Sequence, residues 1–197
     1  MKIFLTTTTA AIIAAVAIGT PAAAQRVPAA SIAVVDLGRI SSECNACKTA
    51  SAALQGQVAA LRTRQQQLTT SLQAEGTPIQ TAVNALAGKQ PDAALTARIR
   101  ALQTKQEAGN QELQRQQQTI QRNQQYIQQQ IDAKLGPVID QVMQRRGANL
   151  VVETGATLKS SPGLDVTTDV LTGLNAALPS LNTTAPAAPA AATPPRR

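Results

Sequence analysis

Two long apolar stripes with a coiled-coil period constrain this chain more than any other feature. Leu54, Val58, Leu61, Leu68 and Leu72 are separated by alternating steps of four and three, with Gln65 at the one polar position. Projected backwards, the same seam lands on Cys47 and Cys44. A second stripe runs through Leu95, Ile99, Leu102, Leu113, Ile120 and Ile127, with Gln106, Gly109, Gln116 and Asn123 between them, and continues to Ile131 and Leu135. A stripe this narrow can cover one neighbouring helix but cannot fill a thick core. The two arms, residues 42–88 and 91–135, are nearly equal and meet at the turn "GKQPD" (88–92). Equal arms and one tight turn predict an antiparallel helical hairpin, each helix roughly 65–70 Å long at the α-helical rise.

The rest of each helix is polar. "RQQQTIQRNQQYIQQQID" (115–132) is half glutamine, yet nothing in it breaks a helix. Glutamine and arginine are good helix formers that keep the outer faces solvated. Gly76-Thr77-Pro78 is expected to kink or restart the first helix, because proline disfavours a helical residue before it. Gly136-Pro137 raises the same expectation in the second, and Pro91 suits a first helical position. The polar seam positions Gln65, Gln106 and Asn123, with Gly109, are expected to leave the arms bendable.

The hairpin is flanked by strand signals. "SIAVVD" (31–36) alternates apolar with apolar and reads as a strand buried on both faces; "NLVVE" (149–153) reads as a second, and "ATLKS" (156–160) as a third. Val138, Ile139, Val142 and Met143 should pack at the hairpin base before Arg145-Arg146-Gly147 ends the helix. After a turn at Pro162-Gly163, Asp165 is placed to cap a last helix bearing Val166, Val170, Leu174 and Leu178 on one face. From Asn182 the chain is "NTTAPAAPAAATPPRR", too poor in large apolar residues to fold, and reads as a disordered tail over 182–197. The fold class is therefore α+β, mainly α: a β-containing body from 25–47 and 136–181, and a coiled-coil arm over 48–135. A body so small, with open strand edges, calls for oligomerisation.

Residues 1–24 have the layout of a secretory signal peptide. A short positive start, an apolar run from Ile3 to Ile18 and small residues before Gln25 place the cut after Ala24. The apolar run is short of the ~20 residues that a membrane span needs. The expected location is a periplasm. The chain carries 18 Lys+Arg against 11 Asp+Glu, a net charge of +7. That excess favours acidic partners, such as lipopolysaccharide, an anionic membrane surface or acidic polypeptide. Nucleic acid is not an expected partner, given the export signal and the lack of basic clusters interleaved with aromatics.

Little in the sequence supports catalysis. There is no histidine, and no metalloprotease, phosphate-loop or nucleophile-elbow pattern, so neither an enzyme nor a cofactor is expected. The pair "CNAC" (44–47) has the spacing of a redox or metal motif. Haem attachment would need histidine where Lys48 stands, and zinc would lack two ligands. Three structural readings remain: a local Cys44–Cys47 disulfide, bridges between subunits, or buried free thiols. A thiol-disulfide enzyme is the alternative, since both sulfurs lie near a helix start.

The order of parts resembles the Skp/OmpH family of periplasmic chaperones. The resemblance rests on "IAVVDLGRI" (32–40), the glutamine-rich hairpin, and "GANLVVETGATLKSSPGLDVTTDVL" (147–171), and covers about residues 31–178. It implies a homotrimer whose terminal strands build a small β-barrel, with three hairpins enclosing a cavity for unfolded outer-membrane proteins. Ile32, Val34, Leu150 and Val152 would then map to body strands. Residues 48–135 hold ten Lys+Arg against five Asp+Glu. Arg62, Arg64, Arg98, Arg100, Lys105, Arg115 and Arg122 are the candidate contacts to clients or anions. The expected function is a holdase working without ATP; a structural coiled-coil protein bridging fixed partners is the competing reading.

Overall fold

The computed structural model describes residues 29–187; the expected signal peptide lies outside them. Strand β1 (Ile32–Val35) is followed by a short helix α1 (Leu37–Glu43) and by the two arm helices α2 (Asn45–Ala85) and α3 (Ala93–Arg146). Strand β2 (Leu150–Glu153) and helix α4 (Thr167–Ala177) complete the body. β1 and β2 pair in parallel, with Ile32 opposite Leu150 and Val34 opposite Val152, so the whole hairpin is the crossover between two adjacent strands.

The body core is assembled from pieces far apart in sequence. Ala33 and Val35 of β1, Ile40, Cys44 and Cys47, Val138 and Val142 of α3, and Val170 and Leu174 of α4 form one buried cluster. The apolar face of α4 is its main lid: Val170 and Leu174 have no exposed surface. Each such side chain contributes about 1.5–3 kcal/mol on burial. Asp36 joins the layers, since its backbone N–H donates to Thr167 Oγ1 at 2.9 Å while its carboxylate caps α1 by accepting from Arg39 N at 2.7 Å.

Several boundaries differ from the sequence reading. Helix begins at Leu37, ahead of the arm start read at residue 42, and breaks at Cys44, whose extended backbone (φ −58°, ψ 126°) makes it the N-cap of α2. Pro91 lies ahead of α3, because Asp92 is its N-cap and accepts from Leu95 N at 2.7 Å. Neither Pro78 nor Pro137 restarts a helix; α2 and α3 run through them. Each proline removes one backbone bond, but the seam packs on either side of it and holds the rod together. Threonine hydroxyls brace the first site, Thr77 donating to the Gln73 carbonyl and Thr81 to the Thr77 carbonyl.

The expected third strand is absent. Residues 154–156 form a 3-10 turn held by Glu153, whose carboxylate accepts from Gly155 N at 2.8 Å, and the chain then runs irregularly with Leu158 fully exposed. The far side of β1 is occupied by another segment: Val34 bridges Asp165, and Val166 N donates to the Val34 carbonyl at 2.9 Å. β1 is therefore flanked on both sides. Only the outer edge of β2 lacks a partner among the described residues.

Along the arm, Leu68, Leu95, Gly109, Asn123 and Ile127 are buried, while most other seam residues are half-buried. Two helices cannot cover more. Gly109 is the hole for Leu68: a Cβ at 109 would lie 2.5 Å from a Leu68 methyl. Gln65 and Gln106 face solvent. Asn123 is only 3 % exposed and donates to Gln57 Oε1 at 2.9 Å.

Residues 182–185, read from sequence as the start of a disordered tail, lie against the arm. Leu178 and Leu181 pack on the body core, and the backbone beyond them bonds to side chains of α2 and α3. Hydrogen bonds, not apolar burial, fix this segment, so its lack of large apolar residues was no guide.

Candidate functional site

The candidate cations divide into two groups. Arg64 of α2 forms a two-pronged pair with Glu112 of α3, at 3.1 and 2.8 Å, and Lys105 of α3 pairs with Glu75 of α2. Both pairs cross the hairpin. The Arg64 hydrogen bond holds the Glu112 carboxyl below its ordinary range, and Lys105 does the same to Glu75. These exposed pairs fix the register of the arm more than they stabilise it.

Arg62, Arg98, Arg100, Arg115 and Arg122 are exposed and have no acidic partner among the described residues. Arg122 donates to Thr119 Oγ1 at 3.2 Å. The contacts Gln57–Asn123, Arg64–Glu112 and Lys105–Glu75 set the level of each residue along the arm. Arg62 and Arg115 stand at one level, with Arg98 and Arg100 nearer the turn. Cation and apolar seam meet in shallow grooves. Arg62 lines one of about 370 Å³ with Leu54, Val58 and Ile120, and Arg115 lines another of about 460 Å³ beside Leu68 and Gly109.

The body carries a different kind of surface. Ile32 and Leu150, opposite each other in the sheet register, are 42 % and 45 % exposed. Val34 is already buried by its own chain and Val152 is half-buried. Leu158 adds exposed apolar area that sequence reasoning missed, because 156–160 was read as a paired strand, and Leu164 adds a smaller exposed area. Large apolar side chains beside an open strand edge form a surface suited to another chain.

Cys44 and Cys47 are joined by a disulfide, their Cα atoms 5.1 Å apart. Cys44 is fully buried and Cys47 is 7 % exposed, so an outside thiolate has no direct approach to either sulfur. Among the described residues no group of three or more acidic or cysteine side chains could hold a metal ion, and no helix is long and apolar enough to cross a membrane.

No curated protein matches the chain. A solved structure described as an outer membrane chaperone (OmpH-like) from Caulobacter crescentus CB15 shares the fold, with a TM-score of 0.65 at 19% sequence identity. The superposition covers 80% of this chain and 90% of that one. The family model for outer membrane protein (OmpH-like) matches residues 31–174, from the strand that opens the body through the arm to the helix that closes it. A match spanning every element of the fold makes the chain a member of the OmpH-like family.

Proposed function

We propose that the protein is an exported, periplasmic holdase that binds unfolded outer-membrane proteins and prevents their aggregation without ATP. The observation that carries this reading is the arm itself, a long two-helix rod whose faces present Arg62, Arg98, Arg100, Arg115 and Arg122 without acidic partners among the described residues. Such a rod offers many weak, long-range attractions spread along its length, which is what retention of an unfolded chain requires. Family membership and the exposed Ile32–Leu150 surface support assembly into a trimer, with the β2 edges and apolar side chains buried between subunits. Three positive arms would enclose a cavity attractive to acidic segments, and to lipopolysaccharide by the same charge, with affinity falling as salt screens the field.

The test is light scattering of the mature protein, alone and with a urea-unfolded outer-membrane barrel diluted into buffer. A trimer that keeps the barrel in a discrete soluble complex supports the proposal. A monomer or dimer beside precipitating barrel refutes it and favours a structural bridge between fixed partners. The buried disulfide gives the thiol-disulfide reading little support; loss of barrel protection on replacing Cys44 and Cys47 with serine in a still-folded protein would revive it.

A further inference from the structure

The segment that follows α4 is held to the arm through its main chain. Gln130 Oε1 accepts from Asn182 N at 3.0 Å, and Gln130 Nε2 donates to the Asn182 carbonyl at 2.9 Å. One side-chain amide thus satisfies both backbone groups of one residue, as a neighbouring strand would. Gln57 Nε2 donates to the Thr183 carbonyl at 3.3 Å, and Asn123 Oδ1 accepts from Ala185 N at 2.9 Å. Asn123 is only 3 % exposed, and its Nδ2 is committed to Gln57 Oε1, so both ends of its amide are in use. No side chain of residues 182–185 takes part in these four bonds.

The spacing has a geometric cause. Asn123 and Gln130 are one heptad apart, about 10.5 Å along a helix axis. Asn182 and Ala185 are three residues apart, about 10 Å in an extended chain. A heptad row of amide side chains therefore matches every third residue of any extended polypeptide laid antiparallel to α3. The row does not stop at the tail. A groove of about 530 Å³ continues past Thr184, lined by Gln57, Asn123, Thr119, Ile120 and Gln116, and Gln116 is the next heptad position.

We propose that Gln57, Asn123 and Gln130 form a binding site for extended polypeptide main chain, independent of side-chain sequence, which residues 182–185 of the chain occupy in the absence of a ligand. The site is defined by the tail, so it stands whether or not the clients are outer-membrane proteins. An incoming unfolded segment competes with the tail, and release of the tail frees the groove.

The test uses the full mature chain. Asn182→Pro with Ala185→Pro removes both tail N–H donors and leaves the groove intact. The probe is a fluorescent, N-acetylated peptide of residues 178–187, together with a second in which the order of 182–185 is permuted. Both peptides should bind the released variant at least tenfold more tightly than the unsubstituted protein, and adding Gln57→Ala with Gln130→Ala should abolish that gain. Equal binding to both proteins, or none to the released variant, overturns the proposal. Failure of the permuted peptide alone overturns main-chain reading. Amide exchange in the unsubstituted protein is the independent check: Asn182 and Ala185 should be protected, and free-peptide rates at both would remove the site.

Discussion

The contact between Leu68 and Gly109 sets the register of the hairpin, and it can be interrogated with one small atom. Gly109→Ala adds a Cβ that would lie 2.5 and 2.6 Å from the two Leu68 methyls and 3.1 Å from Leu68 Cγ. Two effects oppose each other. Alanine in place of a mid-helix glycine stabilises by about 1 kcal/mol through helix propensity. Forcing a methyl into an occupied hole costs about 1–3 kcal/mol. Leu68 is only 8 % exposed, so its methyls can retreat only part of the way. The expected net effect is a loss of about 0–2 kcal/mol. In a Leu68→Ala background the hole is empty, and the same substitution should instead gain about 1 kcal/mol, from propensity alone. Closing the double-mutant cycle should give a coupling of about 1–3 kcal/mol. The assay is urea unfolding followed by circular dichroism at one fixed protein concentration, since an oligomer's apparent stability depends on it. If Gly109→Ala stabilises by the same amount in both backgrounds, Leu68 does not sit over Gly109 and the register is wrong.

Other consequences follow from single residues. Ala87 turns the hairpin with a left-handed backbone (φ 46°), so Ala87→Gly should raise the unfolding free energy by about 0.5–1 kcal/mol; a loss would mean the turn is built otherwise. Glu75 and Glu112 have carboxyl pKa values lowered by Lys105 and Arg64. Their contribution is therefore present above the ordinary carboxylate value near ~4 and lost as pH falls through the lowered values. Acid titration of Glu75→Gln/Glu112→Gln should show less loss of arm helicity in that window than the parent, and identical curves would dissociate those pairs from arm stability. Replacing both cysteines with alanine removes a bridge that closes only a three-residue step, which in the chain-entropy view is worth about 2 kcal/mol. Chemical unfolding should show a loss of that order, with protection of an unfolded barrel unchanged. On the proposed trimer, Ile32→Asp with Leu150→Asp should lower the mass seen by light scattering, and an unchanged mass would refute the proposed contact at this surface.

The residue pattern alone was enough for the hairpin, because a four-three apolar period over two equal arms has one economical solution, and heptad position alone decides which residues meet a partner helix. It also determined both strands and the face of α4, since β-branched runs and an i, i+4 stripe carry their own geometry. What it missed depended on partners far away in the chain. "ATLKS" has strand composition yet pairs with neither strand, while the far side of β1 is taken by Asp165 and Val166 from far along the chain. Both prolines looked like breaks, and only the packing on either side of them keeps the helices continuous. The polar seam position Asn123 looked like a flaw in a coiled coil, and Gln57 carried no signal at all. Their role exists only once α2, α3 and the tail are side by side, because a hydrogen bond needs three-dimensional placement, whereas a hydrophobic stripe needs only a period.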